Sequence, residues 1–254
     1  MAQLPILNLG CGTRTSESCV NLDWTLWARL ASRPAAAKLV YPFLGSLRGN
    51  RLRSMTGTVI AHDLRKGIPF PDRSVDAVYL SHVLEHIDRD QVAGLLSECR
   101  RVLVQGGIIR IVVPDLARLI EDYQESYRLA VSGSITWQQH DKVLEPILEQ
   151  SVRRQSRAVV GTWPAGIQRA MTVAIGDARK RGETHQWMYD DVTLSHLLLS
   201  CDFVDTRVRD PYSSAIEGWE GINLDLDNGS EYKPKSLYLE AQAPARSMTP
   251  AKGR

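Results

Sequence analysis

Hydrophobic positions in this chain fall into short, nearly continuous runs separated by longer stretches of helical periodicity. Leu4 to Leu9 is an apolar run ending in Gly10-Cys11-Gly12, the pattern of a buried strand entering a tight turn. Val20 to Trp24 alternates and closes on an acid, Asp23, and Thr58 to His62 is followed by Asp63. Val75 to Leu80 reads as a fourth strand. Ile108 to Val113 is the most β-branched run in the chain, stopped by Pro114. Phe203 to Val208 and Ser236 to Gln242 read as the last two strands.

Helical patterns fill the intervals. Asp88 is placed to cap a helix from Arg89 to Val104, with Val92, Leu95, Leu96, Cys99, Val102 and Leu103 at helical spacing and Gly106-Gly107 beyond its end. Asp191 to Cys201 repeats an amphipathic helix. Residues 25–56 and 117–182 show helical pieces and no strand periodicity, and read as inserts. The alternation of strand and helix predicts an α/β fold with a mostly parallel sheet covered on both faces. One domain over residues 1–242 is expected, with 219–235 a polar loop and 243–254 a disordered tail.

Composition changes this picture only by exclusion. With 43% apolar and 24% charged residues among 254, the chain has neither the low hydrophobicity nor the high net charge of a disordered protein. No apolar stretch reaches the ~18 residues of a membrane span. The start, Met1 to Ile6, has no charged n-region before an apolar run, so no secretory signal is expected. Cys11, Cys19, Cys99 and Cys201 are scattered, which points to a reducing cytoplasm rather than a zinc ribbon or disulfide scaffold.

Charge is uneven. Net charge is +2, yet residues 25–56 hold Arg29, Arg33, Lys38, Arg48, Arg51 and Arg53 and no acid. Residues 152–182 hold six arginines and Lys180 against Asp177 alone. Such segments are commonly solvated faces; the functional alternative is a rim attracting a phosphorylated substrate or an anionic membrane surface.

The chemistry-bearing residues gather at strand ends. A strand ending in Gly-x-Gly at the start of an α/β chain brings backbone N–H groups close to a ligand. Ligands of open parallel sheets sit at the carboxyl ends of the strands, where a carboxylate such as Asp23 can take both ribose hydroxyls. The first four strands end in Gly10-Cys11-Gly12, Asp23, Asp63 and Ser81-His82. A dinucleotide site would want a third glycine after Gly12, where Thr13-Arg14-Thr15 stands instead.

These residues resemble class I S-adenosylmethionine-dependent methyltransferases. The matching stretches are Leu7 to Gly12, Val20 to Asp23, Asp63 with Ile68 to Asp72, Ser74 to Tyr79 with Leu84-Glu85-His86, and Arg101 to Leu103 with Gly106-Gly107. His185 to Asp190 and Ser236 to Ala241 resemble the branch found with bacterial surface-glycan biosynthesis genes. The resemblance implies a Rossmann-like, seven-stranded, mostly parallel sheet with an antiparallel last strand. It implies S-adenosylmethionine as cofactor. Asn8, Gly10, Cys11 and Gly12 would line its methionine part, Asp23 would hold the ribose, Asp63 with Leu64 the adenine, and Ser81 the amino-acid end. Two positions depart from the family pattern: Asn8 stands for an acid and Arg14 for the third glycine.

The expected reaction is O-methylation of a sugar, glycolipid or related natural product. Alternatives are N- or C-methylation of a small metabolite, or an inactive scaffold of the same fold. A hydroxyl is a poor nucleophile at neutral pH, so a general base is expected. The candidates are His82, Glu85, His86 and His185, with histidine suited by its pKa. Each has a plainer role beside the catalytic one: pocket lining for His82, helix packing for His86, a lid-anchoring hydrogen bond for His185. Trp187 reads as core rather than sugar platform. His82 to His86 also fits the H-x-x-E-H zinc motif, but it follows a strand directly, and no metal is expected. Nucleic acid is disfavoured, since Leu80-Ser81-His82-Val83 lacks the N-P-P-Y-like tetrad of the base amino-methyltransferases and the arginine clusters lack interleaved aromatics. Residues 25–56 offer a peripheral contact with the inner membrane surface.

Overall fold

The computed structural model describes residues 4–33, 35, 37, 55–150, 185–222 and 224–245. Most of the first basic insert, with the membrane contact expected of it, the second basic segment and the end of the tail lie outside them.

The described strands, in chain order, are β1 (Ile6–Leu9), β2 (Cys19–Asp23), β3 (Thr58–Ala61), β4 (Val75–Ser81), β5 (Leu103–Pro114), β6 (Val204–Arg209), β7 (Leu226–Asp227), β8 (Ser230–Glu231) and β9 (Ser236–Gln242). The helices are α1 (Leu26–Ala31), α2 (Arg89–Val102), α3 (Leu116–Val131), α4 (Trp137–Gln150), α5 (Asp191–Ser200) and α6 (Trp219–Ile222). Short 3₁₀ turns span Leu64–Lys66 and Leu84–His86. The chain divides into two compact units, one formed by residues 1–81, 93–112 and 191–254, the other by 82–92 and 113–190.

The first unit is built on a seven-stranded sheet in the order β3-β2-β1-β4-β5-β9-β6. Strands β1 to β5 pair in parallel, and β9 runs antiparallel to β6. Parallel strands covered on both faces are buried in consecutive positions rather than alternating. Ile6 to Leu9, Ala77 to Leu80 and Ile108 to Val113 are accordingly buried at every position. The fold expected from the resemblance is the one observed.

Arg110 interrupts the apolar run of β5, and it too is fully buried. Its Nε donates to Asp225 at 2.8 Å and its Nη1 to Glu240 at 2.8 Å. The carbonyls of Ser213 and Asp210 take further N–H groups at 3.0 and 2.8 Å. Asp225 also accepts the Tyr79 hydroxyl at 2.6 Å. Burial raises the Asp225 carboxyl above its usual range even against the Arg110 charge beside it.

This network corrects the reading of 219–235 as a loop. Trp219–Ile222 is a short helix, β7 and β8 form a hairpin, and Trp219, Ile222, Leu224 and Asp225 are buried. A few apolar anchors and one ion pair order a segment whose composition is polar.

The second unit holds α3 and α4. Asp115 caps α3, its carboxylate accepting from the Arg118 N–H. Tyr123, Tyr127 and His140 meet between the two helices, with Tyr123 and His140 rings 5.5 Å apart. The helical reading of the insert holds as far as Gln150. The segment 185–190 runs without helix and bridges Asp115 through Tyr189.

Replacing Arg110 by Leu would leave buried Asp225 without its cation and buried Glu240 with Arg209 alone. Breaking a buried charge pair in this way costs about 3–5 kcal/mol. Denaturant unfolding of Arg110→Leu is expected to show that loss as a lower midpoint at unchanged slope; an unchanged midpoint would mean the network contributes no net stability.

Candidate functional site

Strands β3, β2, β1 and β4 are neighbours and parallel, so their carboxyl ends share one edge of the sheet. At that edge the chain leaves β1 through two residues with left-handed backbone, Gly10 at φ 67° and Gly12 at φ 54°. That conformation is open to glycine and strained for residues with a side chain. The bend hooks onto β2, with the Gly10 N–H donating to the Leu22 carbonyl at 2.7 Å. A Cβ at Gly12 would meet nothing within 4 Å, so the outer face of the bend is open to close approach by a ligand.

Asp23, the last residue of β2, is 7% exposed. One carboxylate oxygen accepts the Gly12 N–H at 2.7 Å and the other the Thr25 N–H at 2.6 Å. Each oxygen keeps a second lone pair, enough to receive two vicinal hydroxyls. Trp24 beside it is 44% exposed, with the Arg29 guanidinium 3.7 Å over its ring. Sequence reading passed over Trp24; its signal was a bulky aromatic directly after a strand-ending acid.

The two departures from the family pattern both have structural reasons. Asn8 is buried and donates to the Arg14 carbonyl at 2.8 Å and to Asn21 at 2.9 Å. An ionised acid could not make the first of these bonds, whereas the amide ties β1 to the loop after the bend. Arg14 does not take up positive φ, so a glycine's freedom is not needed there. Its guanidinium donates to the carbonyls of Leu224 and Leu226 and lies 4.5 Å from the Tyr232 ring centroid, fastening the bend to the β7–β8 hairpin.

Asp63 follows β3 and caps the turn Leu64–Lys66. The Arg65 guanidinium grips it through two bonds of 2.8 Å and holds its carboxyl below the usual range. The His62 N–H donates to the Asp23 carbonyl at 2.9 Å, joining the ends of β2 and β3. Ser81 closes β4 opposite Val112. The cavity of about 330 Å³ lined by Leu4, Ile6, Ser18, Glu217 and Ile222 lies by the opposite ends of β1 and β2 and belongs to none of this.

The second unit brings together the four side chains named as candidate bases. His82 adopts φ 54°, a costly conformation for a residue with a Cβ, of the kind that concentrates at functional sites. Its Nδ1 lies 3.0 Å from Glu85 Oε1. Glu85 is fully buried. Burial alone would raise its pKa, but the His82 hydrogen bond and the nearby His82 and His86 charges turn the net shift downward. His86 Nε2 stands 3.9 Å from Glu85 Oε1, and the His86 and His185 rings meet edge to face at 4.7 Å. The Gln186 and Trp187 N–H groups both donate to the Glu85 carbonyl, at 2.5 and 3.3 Å.

Residues 84–86 form a single 3₁₀ turn, so His82 and His86 do not project from one long helix as the zinc motif requires. Trp187 is not the core residue expected from sequence: it is only partly buried, with the Arg89 guanidinium 4.0 Å from its ring centroid.

Residues 7–111 match the methyltransferase-domain family, and this stretch spans the glycine bend, Asp23, Asp63 and β4. That stretch is a methyltransferase domain of the kind that the class I S-adenosylmethionine-dependent methyltransferases carry. The domain indicates an S-adenosylmethionine-dependent methyltransferase, with S-adenosylmethionine as its cofactor. Among solved structures, a methyltransferase from Archaeoglobus fulgidus is 15% identical, with 95% of this chain and 86% of that chain covered and a TM-score of 0.43. One from Mesorhizobium loti is 17% identical over 94% and 90%, with a TM-score of 0.42. One from Methanosarcina mazei is 14% identical over 97% and 95%, with a TM-score of 0.43. No curated protein matches the chain significantly in sequence.

Asp23→Ala would remove the carboxylate expected to receive the ribose hydroxyls and release the Gly12 and Thr25 amides. Hydrogen bonds to a charged group are worth about 1.5–3 kcal/mol each. Calorimetry is expected to show weaker S-adenosylmethionine binding, by one to a few kcal/mol on that scale; unchanged affinity would mean the ribose is held elsewhere.

Proposed function

We propose that this methyltransferase transfers its methyl group to a hydroxyl of a sugar, glycolipid or related natural product, with His82 as the proton acceptor and Glu85 as the residue that positions it. The observation carrying this reading is the 3.0 Å contact between His82 Nδ1 and the buried Glu85 carboxylate. A carboxylate only accepts, so Nδ1 carries the proton and the neutral ring has its lone pair on Nε2. A hydroxyl needs such a base, because its proton must leave as the oxygen attacks. In chain order His82 directly follows Ser81, the last residue of β4.

Bound S-adenosylmethionine supplies an electrophilic methyl on a sulfonium. Asn8, Gly10, Cys11 and Gly12 would surround its methionine part, Asp23 its ribose, Asp63 and Leu64 its adenine, and Ser81 its amino-acid end. The open face above Gly12 and the spare lone pairs of Asp23 support this assignment. Alignment of nucleophile and electrophile at about 3 Å would supply much of the rate. The reaction belongs in the cytoplasm, with basic residues of 25–56 serving an acceptor carried at the inner membrane surface.

Incubation of the chain with methyl-labelled S-adenosylmethionine and matched sugar and amine acceptors tests the reading. Label is expected in hydroxyl acceptors, and His82→Ala is expected to lower kcat by roughly a hundredfold or more with cofactor affinity unchanged. Methylation confined to amines, or a kcat untouched by the substitution, would contradict it.

A further inference from the structure

The two oxygens of the Glu85 carboxylate have different surroundings. Oε1 faces His82 Nδ1 at 3.0 Å. Oε2 is buried and has no hydrogen-bond partner among the described residues, on a side chain only 1% exposed. Buried carboxylate oxygens are almost always satisfied, because a dry, unpaired one is costly. Two further imidazoles border this carboxylate. His86 comes from the same turn, and His185 arrives from a segment about a hundred residues later whose backbone is clamped to the Glu85 carbonyl by the Gln186 and Trp187 N–H groups. One ligand atom from each of Glu85, His86 and His185 lies within 4.8 Å of the other two.

We propose that Glu85, His86 and His185 form a binding site for a divalent transition-metal ion of the zinc type, with a coordination position left for water or another oxygen ligand. Two imidazoles and one carboxylate suit zinc, cobalt, nickel or iron, whereas magnesium and calcium want oxygen ligands throughout. Metal–ligand bonds of about 2.0–2.2 Å need the three atoms drawn somewhat closer, within reach of side-chain rotation. The neighbouring His82 bonds Oε1 of the same carboxylate at 3.0 Å, the kind of outer support that holds a metal ligand in orientation. The set differs from the H-x-x-E-H reading of the sequence: His82 stands outside it, and its third member, His185, is remote in sequence. The site shares Glu85 with the His82 pair proposed above and is independent of the acceptor's identity.

The test uses the untagged full chain, stripped with chelator and titrated with Co²⁺ and Zn²⁺. One equivalent of Co²⁺ is expected to bind with visible d–d absorption, and Zn²⁺ is expected to raise the melting temperature by mass action. His185→Ala and Glu85→Gln should each weaken binding at least about tenfold, on the scale set by lost metal-site interactions. His196→Ala, exposed on α5, should bind as the parent does. Should Glu85→Gln fail to fold, His185→Ala decides, since its side chain is only partly buried. No saturable uptake by the parent, or equal uptake by parent and His185→Ala, would overturn the site. Cofactor affinity measured on the same samples reports on the methyltransferase assignment separately.

Discussion

Parallel pairing of β1 between β2 and β4 is the constraint from which the rest of the first unit follows. In register, Leu9 faces Leu22 on one side and Leu80 on the other. All three strands must therefore end at the same edge, and whatever residues come next are collected there. The sheet interior is mostly apolar, so polar groups at those ends bond to backbone, to the few polar side chains beside them, to ligand or to solvent. Asp23 uses backbone first, taking the Gly12 and Thr25 amides, and thereby fixes the glycine bend against the end of β2. Asn8 and Asn21 do the same one step deeper, tying the loop beyond the bend to the strands that precede and follow it.

Most of the sheet was legible in the sequence because its signals are local. Short apolar runs, the glycine pair, strand-ending acids and β-branched Ile108–Val113 each speak for themselves. What escaped were contacts between distant residues. Arg110 looks like an intrusion in an apolar strand until Asp225 and Glu240 are beside it, 115 and 130 residues away. The same pairing explains why a polar segment such as 219–235 is ordered. Arg14 looked like a defect at a glycine position, yet its partners are carbonyls more than two hundred residues later.

The candidate catalytic cluster divides along the same line. His82, Glu85 and His86 were visible as a local motif, and the H-x-x-E-H spacing suggested a helix that the structure replaces with a strained residue and a 3₁₀ turn. His185 was suggested by its neighbours in sequence, but nothing local could reveal that its ring meets His86 or that its backbone neighbours bind the Glu85 carbonyl. Nor could sequence tell that Glu85 is fully buried, the fact that makes its two oxygens chemically distinct.

Whether the glycine bend and Asp23 receive the cofactor can be asked of the backbone itself. Amide hydrogen exchange of the chain with and without S-adenosylhomocysteine should slow at Gly10 to Gly12 and around Asp23 to Thr25 and Asp63 to Leu64, while the strand interiors stay as they were. Protection elsewhere, with exchange at the bend unaltered, would contradict the account.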